Sequence, residues 1–248
     1  MLILSCSMPK AGSGWYNHLT NDLLVAAGYQ DKVATRDRYG LGDILKYDNC
    51  HMSRPTFFKI RRLVRVSDSG NTFCVHAHSG KLPSVNYFMK RGKIKATYIY
   101  RDPRDVVLSA YEHGVRERAA GLRWRNFAKL RTVDLAILWV LLRQLPRYRS
   151  WSGEDPEKVH LARYEDLVRD PQTQLRRLAD FLGISVSDDM IETIIGRYDR
   201  DRRDVGGRSS LHFHVGRIGR FREQLTEQQI ARCNRLFGSA LADMGYPL

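Results

Sequence analysis

The sequence predicts an α/β protein, a single domain over residues 1–248 with a central parallel sheet flanked by helices. Three observations carry this. Short apolar, β-rich runs alternate along the chain with longer stretches of helical periodicity, the order that builds a parallel sheet covered on both faces. The first run ends in a glycine-rich turn that opens a helix. No internal repeat or low-complexity linker divides the 248 residues, and a hydrophobic content of 43% is enough for a substantial core.

Residues 2–8 read as a buried strand, short, apolar and bounded by Pro9. Over 14–28, Leu19, Leu23, Leu24 and Ala27 recur at helical spacing and Gly28 is a stop signal. TFCVHAH (72–78) and IKATYIY (94–100) read as strands. DPRDVVLSAYEH (102–113) opens a helix, with Asp102 as N-cap, Pro103 at the first helical position and Asp105 completing a capping-box-like pair. A long amphipathic helix is expected over 126–145, a strand leaving into a loop over 158–167, a helix over 171–184 closed by Gly183, and a last helix over 226–245. Residues 30–70, 80–90, 114–128 and 196–214 look loop-like or irregular. The stretch 196–220, with five glycines and many charges, reads as a loop that a ligand would order.

Lys and Arg number 41 against 27 Asp and Glu, a formal charge of +14. That balance suits nucleic acid or a small polyanion such as a phosphorylated nucleotide. The basic clusters KIRRLVR (59–65) and RDRRD (200–204) are interleaved with apolar or acidic residues, so solvated faces account for them equally well. The four cysteines share no metal-type spacing, and Cys6 and Cys74 lie inside apolar runs as small hydrophobes, which fits a reducing compartment. The first apolar segment is too short for a signal peptide and LAILWVLL (135–142) is too short for a membrane span, so a cytoplasmic protein is expected.

LSCSMPKAGSGW (4–15) is a strand, a glycine turn and a helix start, the construction of a P-loop-like phosphate-binding unit. Gly12 and Gly14 let backbone N–H groups approach an anion, the helix adds its positive dipole end, Lys10 adds a charge and Ser13 a hydroxyl. It is not a Walker A motif, because the lysine precedes the glycines. A second signal is YIYRDPRDVVLSAYEH, where Arg101 stands at a strand's carboxyl edge and Ser109 two turns into the following helix. A surface pair of Arg101 with Asp102 or Asp105 would explain the arginine as well.

With these motifs the chain resembles the sulfotransferases that use 3′-phosphoadenosine 5′-phosphosulfate (PAPS). PKAGSGW resembles the family's 5′-phosphosulfate loop, YRDPRDVVLSAYEH its 3′-phosphate motif, RYEDLVRDPQTQLRRLADFLGI its later strand-and-helix segment, and GRIGRFREQLT its C-terminal glycine loop, in family order over residues 4–226. The resemblance implies that Lys10, Ala11, Gly12, Ser13 and Gly14 hold the 5′-phosphosulfate, that Trp15, Tyr164 and Tyr198 surround the adenine, and that Arg101 and Ser109 hold the 3′-phosphate. His214-Val215-Gly216 stands where the family has Arg-Lys-Gly, with Arg217 or Arg208 as a substitute cation. Read without the resemblance, Trp15 and Tyr164 could both be core residues.

An acceptor hydroxyl needs a base, and histidine titrates near neutral pH. In VHAHSG, His76 and His78 are two apart on a strand and so share a face. The family pattern KTH makes His78 the base and puts His76 at the lysine position, with His76 as the rival. The transferred group carries one negative charge, so no metal is expected. The expected reaction moves a sulfuryl group from PAPS to a hydroxyl or amine of a small-molecule or glycan acceptor, with no specific nucleic acid partner. The alternatives are a kinase-like P-loop phosphotransferase and a non-catalytic nucleotide or nucleic-acid binder. Of the family's dimer motif, Arg222 and Thr226 fit while Glu227 and Ile230 do not, which leaves a monomer or a weak dimer.

Overall fold

The computed structural model describes residues 1–198 and 217–248. Its elements in chain order are β1 (Leu2–Ser7), α1 (Ser13–Ala26), α2 (Lys32–Arg38), α3 (Phe57–Asp68), β2 (Phe73–Ala77), α4 (Pro83–Lys90), β3 (Ile94–Tyr100), α5 (Pro103–Ala119), α6 (Val133–Trp139), α7 (Leu145–Ser152), β4 (Val159–Arg163), α8 (Tyr164–Arg169), α9 (Pro171–Leu182), α10 (Asp188–Gly196), α11 (Phe221–Gln224) and α12 (Glu227–Asp243). The residues gather into two units. One takes in the described residues of Met1–Met8, Gly12–Tyr100 and Ser150–Gly206; the other takes in those of Pro9–Ala11, Arg101–Arg149 and Gly207–Leu248.

The first unit holds the sheet, four strands in the order β2-β1-β3-β4, every neighbouring pair parallel. Residues of β1 and β2 are buried along their whole length, which is why these strands read as unbroken apolar runs. Ile3 and Cys74 meet Leu24 of α1, with Leu182 and Ile184 packed on the same cluster. The residues alternating with Ile3, namely Leu2, Leu4 and Cys6, face the other side of the sheet and are fully buried as well. The chain leaves β1 toward β2 on one side and reaches β3 on the other, so the strand order reverses between β1 and β3. Ser7 is in register with Ile99 there. Open α/β sheets take their ligands outside the carboxyl ends of such a strand pair.

In the second unit Leu108 of α5 packs with Phe221 and Leu225, joined by Val133 and Ile230. Asp102 caps α5 by accepting from Arg104 N, as the sequence predicts. Asp105 does not complete a capping box: its Oδ2 accepts from Gly219 N at 2.8 Å and its Oδ1 from Phe221 N at 3.0 Å. The capping box is at α12, where Thr226 and Gln229 satisfy each other's backbone.

The helix expected over 126–145 is broken. Phe127–Lys129 is a single 3₁₀ turn, and α6 begins only after Thr132 caps Leu135 N. A π turn over Val140–Gln144 then leads into α7. Pro146 has no N–H for the helical ladder, and a widened turn ahead of it absorbs the missing bond. The stretch 158–167, expected as a strand leaving into a loop, is a strand only to Arg163; α8 follows it directly from Tyr164. The segments 30–70 and 80–90, expected as irregular, contain α2, α3 and α4. All four cysteines are free and buried. Among the described residues no helix is long and apolar enough to cross a membrane.

Candidate active site

The glycine turn after β1 has the geometry the sequence calls for. Met8 N donates to Ile99 O at 3.0 Å, which holds the strand end in the sheet. The backbone is then left-handed at Lys10 (φ 70°) and again at Gly12 (φ 79°). Alternation of left- and right-handed residues turns successive N–H groups toward one concavity, an anion nest. A left-handed lysine costs about 1–2 kcal/mol, conformational strain of the kind kept at ligand clamps. Gly12 is the N-cap of α1, with no side-chain cap and no acidic residue in the first turn, so the helix's own first turn offers its positive end no competing anion. Ala11 is fully buried, whereas Ser13, Gly14 and Trp15 are partly exposed on α1.

Tyr164 closes this turn from the other side. A Cβ on Gly12 would lie 2.7 Å from both Cδ2 and Cε2 of its ring. The ring meets Trp15 edge to face, centroids 6.4 Å apart and planes at 77°. Tyr164 is therefore neither a strand residue nor remote from the turn: it is the first residue of α8, buried against Gly12. The Trp15 indole N–H is buried with no partner among the described residues. Tyr198 has its hydroxyl 3.0 Å from Asp22 Oδ2 on α1.

The two histidines of VHAHSG share a face as predicted, with ring centroids 4.5 Å apart. Their environments differ. His76 is 2% exposed, and burial, reinforced by neighbouring cationic and imidazole groups, pushes its pKa well below the usual value. His78 is half-buried, and its Nδ1 lies 2.8 Å from Ser7 Oγ. The same hydroxyl is 3.4 Å from Nε2 of His76. Sequence reasoning missed Ser7, whose place is fixed only when β1 pairs with β2. It also missed His51, which sits beside both rings, at 5.2 Å from His76 and 5.3 Å from His78.

In the second unit, Lys10 Nζ is 3.4 Å from Nδ1 of His113 and lies over the Phe127 ring. His113 Nε2 in turn faces Glu117 Oε1 at 3.3 Å. A neutral imidazole fits both contacts, accepting from Lys10 at Nδ1 and donating to Glu117 from Nε2. Burial, with Arg116 and Arg101 nearby, lowers the Lys10 pKa to about 8. His113 was in plain view in the quoted YRDPRDVVLSAYEH stretch, but nothing in its spacing says that it supports a lysine about a hundred residues away.

Arg101 is buried and donates to Asp105 Oδ2 at 3.0 Å and to Arg217 O at 2.6 Å. The pairing with Asp105 is real, but it is not on the surface: Asp105 is 2% exposed. Through Asp105 the strand-end arginine is tied to Gly219, so the two segments expected around the 3′-phosphate, Arg101 and the C-terminal glycine loop, meet inside this unit. Arg217 contributes its carbonyl to this contact; its guanidinium is exposed, 4.0 Å from Glu223. Ser109 is partly exposed on α5. His214 and Gly216, together with Arg208, lie outside the described residues.

A parallel sheet whose first strand runs through a left-handed glycine turn into an uncapped helix start defines the α/β phosphate-loop class of protein. Within that class the chain belongs to the sulfotransferase family, since the sulfotransferase domain matches residues 2–245. It is 24% identical to mouse sulfotransferase 6B1, over 97% of this chain and 76% of that protein. Cytosolic sulfotransferase 16 of Arabidopsis thaliana is 23% identical, over 98% and 76%. Among solved structures, mouse sulfotransferase SULT7A1 complexed with PAP superposes with a TM-score of 0.65 at 16% identity, covering 97% of this chain and 84% of that one. Retinol dehydratase in complex with androsterone and the inactive cofactor PAP gives 0.62 at 16%, covering 100% and 82%. These structures show the fold, and the family match shows that the chain is a sulfotransferase.

Proposed function

We propose that residues 1–248 act as one PAPS-dependent sulfotransferase domain with His78 as general base, taking a small or medium-sized hydroxyl or amine acceptor. The observation that carries the reading is the turn after β1, left-handed at Lys10 and Gly12 and opening directly into α1, in a chain of the sulfotransferase family. The PAP in the two solved relatives supports the same donor. In this reading the N–H groups of the turn and Lys10 take the 5′-phosphosulfate, Arg101 and Ser109 the 3′-phosphate, and Trp15 with Tyr164 the adenine. Base stacking on an aromatic ring contributes about 1–3 kcal/mol.

Burial separates the two histidines. An acceptor cannot reach a ring that is 2% exposed, whereas His78 is partly open. With Nδ1–H of His78 donating to Ser7 Oγ, Nε2 is the nitrogen left to take up the proton in this reading. The acceptor's O–H or N–H proton passes to Nε2 as its oxygen or nitrogen bonds to sulfur. The bond from sulfur to the 5′-phosphate oxygen breaks, and Lys10 balances the charge that gathers on that leaving oxygen. The product is adenosine 3′,5′-bisphosphate. Exposed aromatic side chains, Phe57, Phe58 and Tyr87, cluster on α3 and α4 in the segments where specificity was expected. They favour an acceptor with a flat or apolar body.

Calorimetric titration with adenosine 3′,5′-bisphosphate is the direct test, followed by transfer of labelled sulfuryl group to an acceptor panel. Saturable one-to-one binding and turnover that survives EDTA are expected. Binding of ATP with magnesium in preference to the bisphosphate, or a stronger affinity for random DNA, would overturn the reading.

A further inference from the structure

We propose that His51, His76 and His78 form a binding site for a divalent transition metal of the zinc type, and that the metal silences the enzyme by taking His78. The inhibitory half rests on the function proposed above; the binding half does not. One ring nitrogen from each histidine lies within 4.8 Å of those of the other two. In a tetrahedral zinc site with bonds of about 2.0–2.1 Å, ligand nitrogens stand about 3.3 Å apart. Rotation of the three side chains would have to close that difference.

The backbone is already fixed. His76 and His78 come from the end of β2, and His51 is locked beside them from both directions. Met52 N donates to His76 O at 2.8 Å and His76 N to Cys50 O at 3.2 Å, forming a parallel bridge between His51 and His76. On its other side His51 exchanges two backbone hydrogen bonds with Lys46, at 2.8 and 2.9 Å. The turn between them is left-handed at Tyr47 and Cys50, two non-glycine residues, a strain that persists only where the surrounding contacts fix the backbone.

Outer contacts of the kind that orient metal-bound imidazoles are present as well. Ser7 Oγ meets Nδ1 of His78 at 2.8 Å, and the Asn49 amide meets Nδ1 of His76 at 3.2 Å. As placed, Asn49 offers its NH₂ group to that nitrogen, while its Oδ1 is buried with no partner among the described residues. Turning the amide over, an assignment that hydrogen bonding decides, puts Oδ1 on an Nδ1–H. That tautomer presents Nε2 of His76 to a metal.

The donor set selects the ion. Three imidazoles, with no carboxylate among the described residues of the cluster, suit zinc, copper, nickel or cobalt, and do not suit magnesium or calcium. Three protein ligands leave a fourth position for water. A ring bound to metal cannot take the acceptor's proton, so occupancy stops base catalysis. The expectation that sulfuryl transfer needs no metal is compatible with this: here a metal opposes the reaction.

The probe is cobalt(II) alone, added to the chelator-treated full-length protein. The expected result is one equivalent bound with the visible absorption of a tetrahedral centre, displaced by zinc. His51→Gln, whose folding is checked by its melting curve, should weaken binding at least 10-fold. Asn49→Ala, which leaves all three ligands, should weaken it by about 10-fold or more, the usual effect of losing an outer-sphere partner. No stoichiometric tetrahedral spectrum, several weak equivalents, or unchanged binding in folded His51→Gln overturns the site. These readouts need no catalysis, so they stand if the proposed reaction fails. If the enzyme transfers sulfuryl groups, zinc should stop turnover in the wild type and EDTA should restore it. Full turnover by zinc-loaded enzyme overturns the claim that the metal takes His78.

Discussion

Gly12→Ala should damage this protein far more than Gly14→Ala, although the two glycines are neighbours in one motif. Gly12 has φ 79°, a conformation costing about 1–2 kcal/mol for an L-residue. Its new Cβ would also stand 2.7 Å from two ring carbons of Tyr164, closer than real contacts allow. Tyr164 is buried, so the overlap acts as overpacking, at about 1–3 kcal/mol. The sum, about 2–5 kcal/mol, corresponds to a fall in melting temperature of roughly 4–20 °C for a chain of this size. At Gly14 a Cβ meets nothing within 4 Å and φ is not positive. Gly14 lies in the first turn of α1, so alanine there should be neutral or stabilise by up to about 1 kcal/mol. A double-mutant cycle with Tyr164→Ala isolates the clash: its cost should vanish in the double mutant, giving a coupling of about 1–3 kcal/mol. Urea unfolding of the four proteins reads this. Strictly additive effects, or equal effects of the two glycine substitutions, would refute the reasoning.

Four further outcomes follow from the same geometry. His78→Ala should lose about 10²- to 10⁴-fold in kcat while binding adenosine 3′,5′-bisphosphate as before, whereas a loss of binding alone would remove His78 from the chemistry. Lys10 titrates near 8 when folded and at 10.5 when unfolded, so the unfolded chain holds more protons between those values. Its destabilising effect is full below pH 8 and fades as the pH rises toward 10.5; Lys10→Met should therefore stabilise the fold near neutral pH, by roughly 3 kcal/mol at most. Bisphosphate placed against Lys10 should raise its pKa, so binding should take up a proton and weaken above pH 8, which calorimetry in buffers of different ionisation enthalpy measures. Asp105→Ala strips buried Arg101 of its carboxylate and frees Gly219 N and Phe221 N; a loss of about 3–5 kcal/mol is expected in chemical unfolding.

What was legible in the sequence was local. β1, β2 and β3 announce themselves because strands buried on both faces must be apolar throughout, and α9 and α12 because their stops and caps lie within a few residues of the helix they close. The nest at Lys10 and Gly12 was legible for the same reason: a left-handed turn needs its glycine in place. The break in the helix expected over 126–145 was not, since an apolar period of 3.6 continues through a 3₁₀ turn and a π turn without showing the change of pitch. Tyr164 shows the limit most sharply. Its neighbours gave a strand, and its role as the wall of the Gly12 turn exists only because β4 lies two strands from β1 in the sheet.

The histidines carry the same lesson one step further. His76 and His78 were found because two residues on a strand share a face whatever the rest of the chain does. His51 and Asn49 sit in a segment with no recognisable pattern, and their place is set by backbone bonds from residues 50–52 to His76. A base can be read from a pair of positions, but a third ligand cannot, because its distance from the first two is a property of the closed fold. The ligand that would complete the metal site, His51, is therefore the one that the family motifs do not describe. If His51→Gln left both cobalt binding and sulfuryl transfer untouched, the backbone clamp on His51 would have to be explained by stability alone. The melting curve of that variant measures this alternative, because loss of a purely structural ring lowers the melting temperature whether or not cobalt is present.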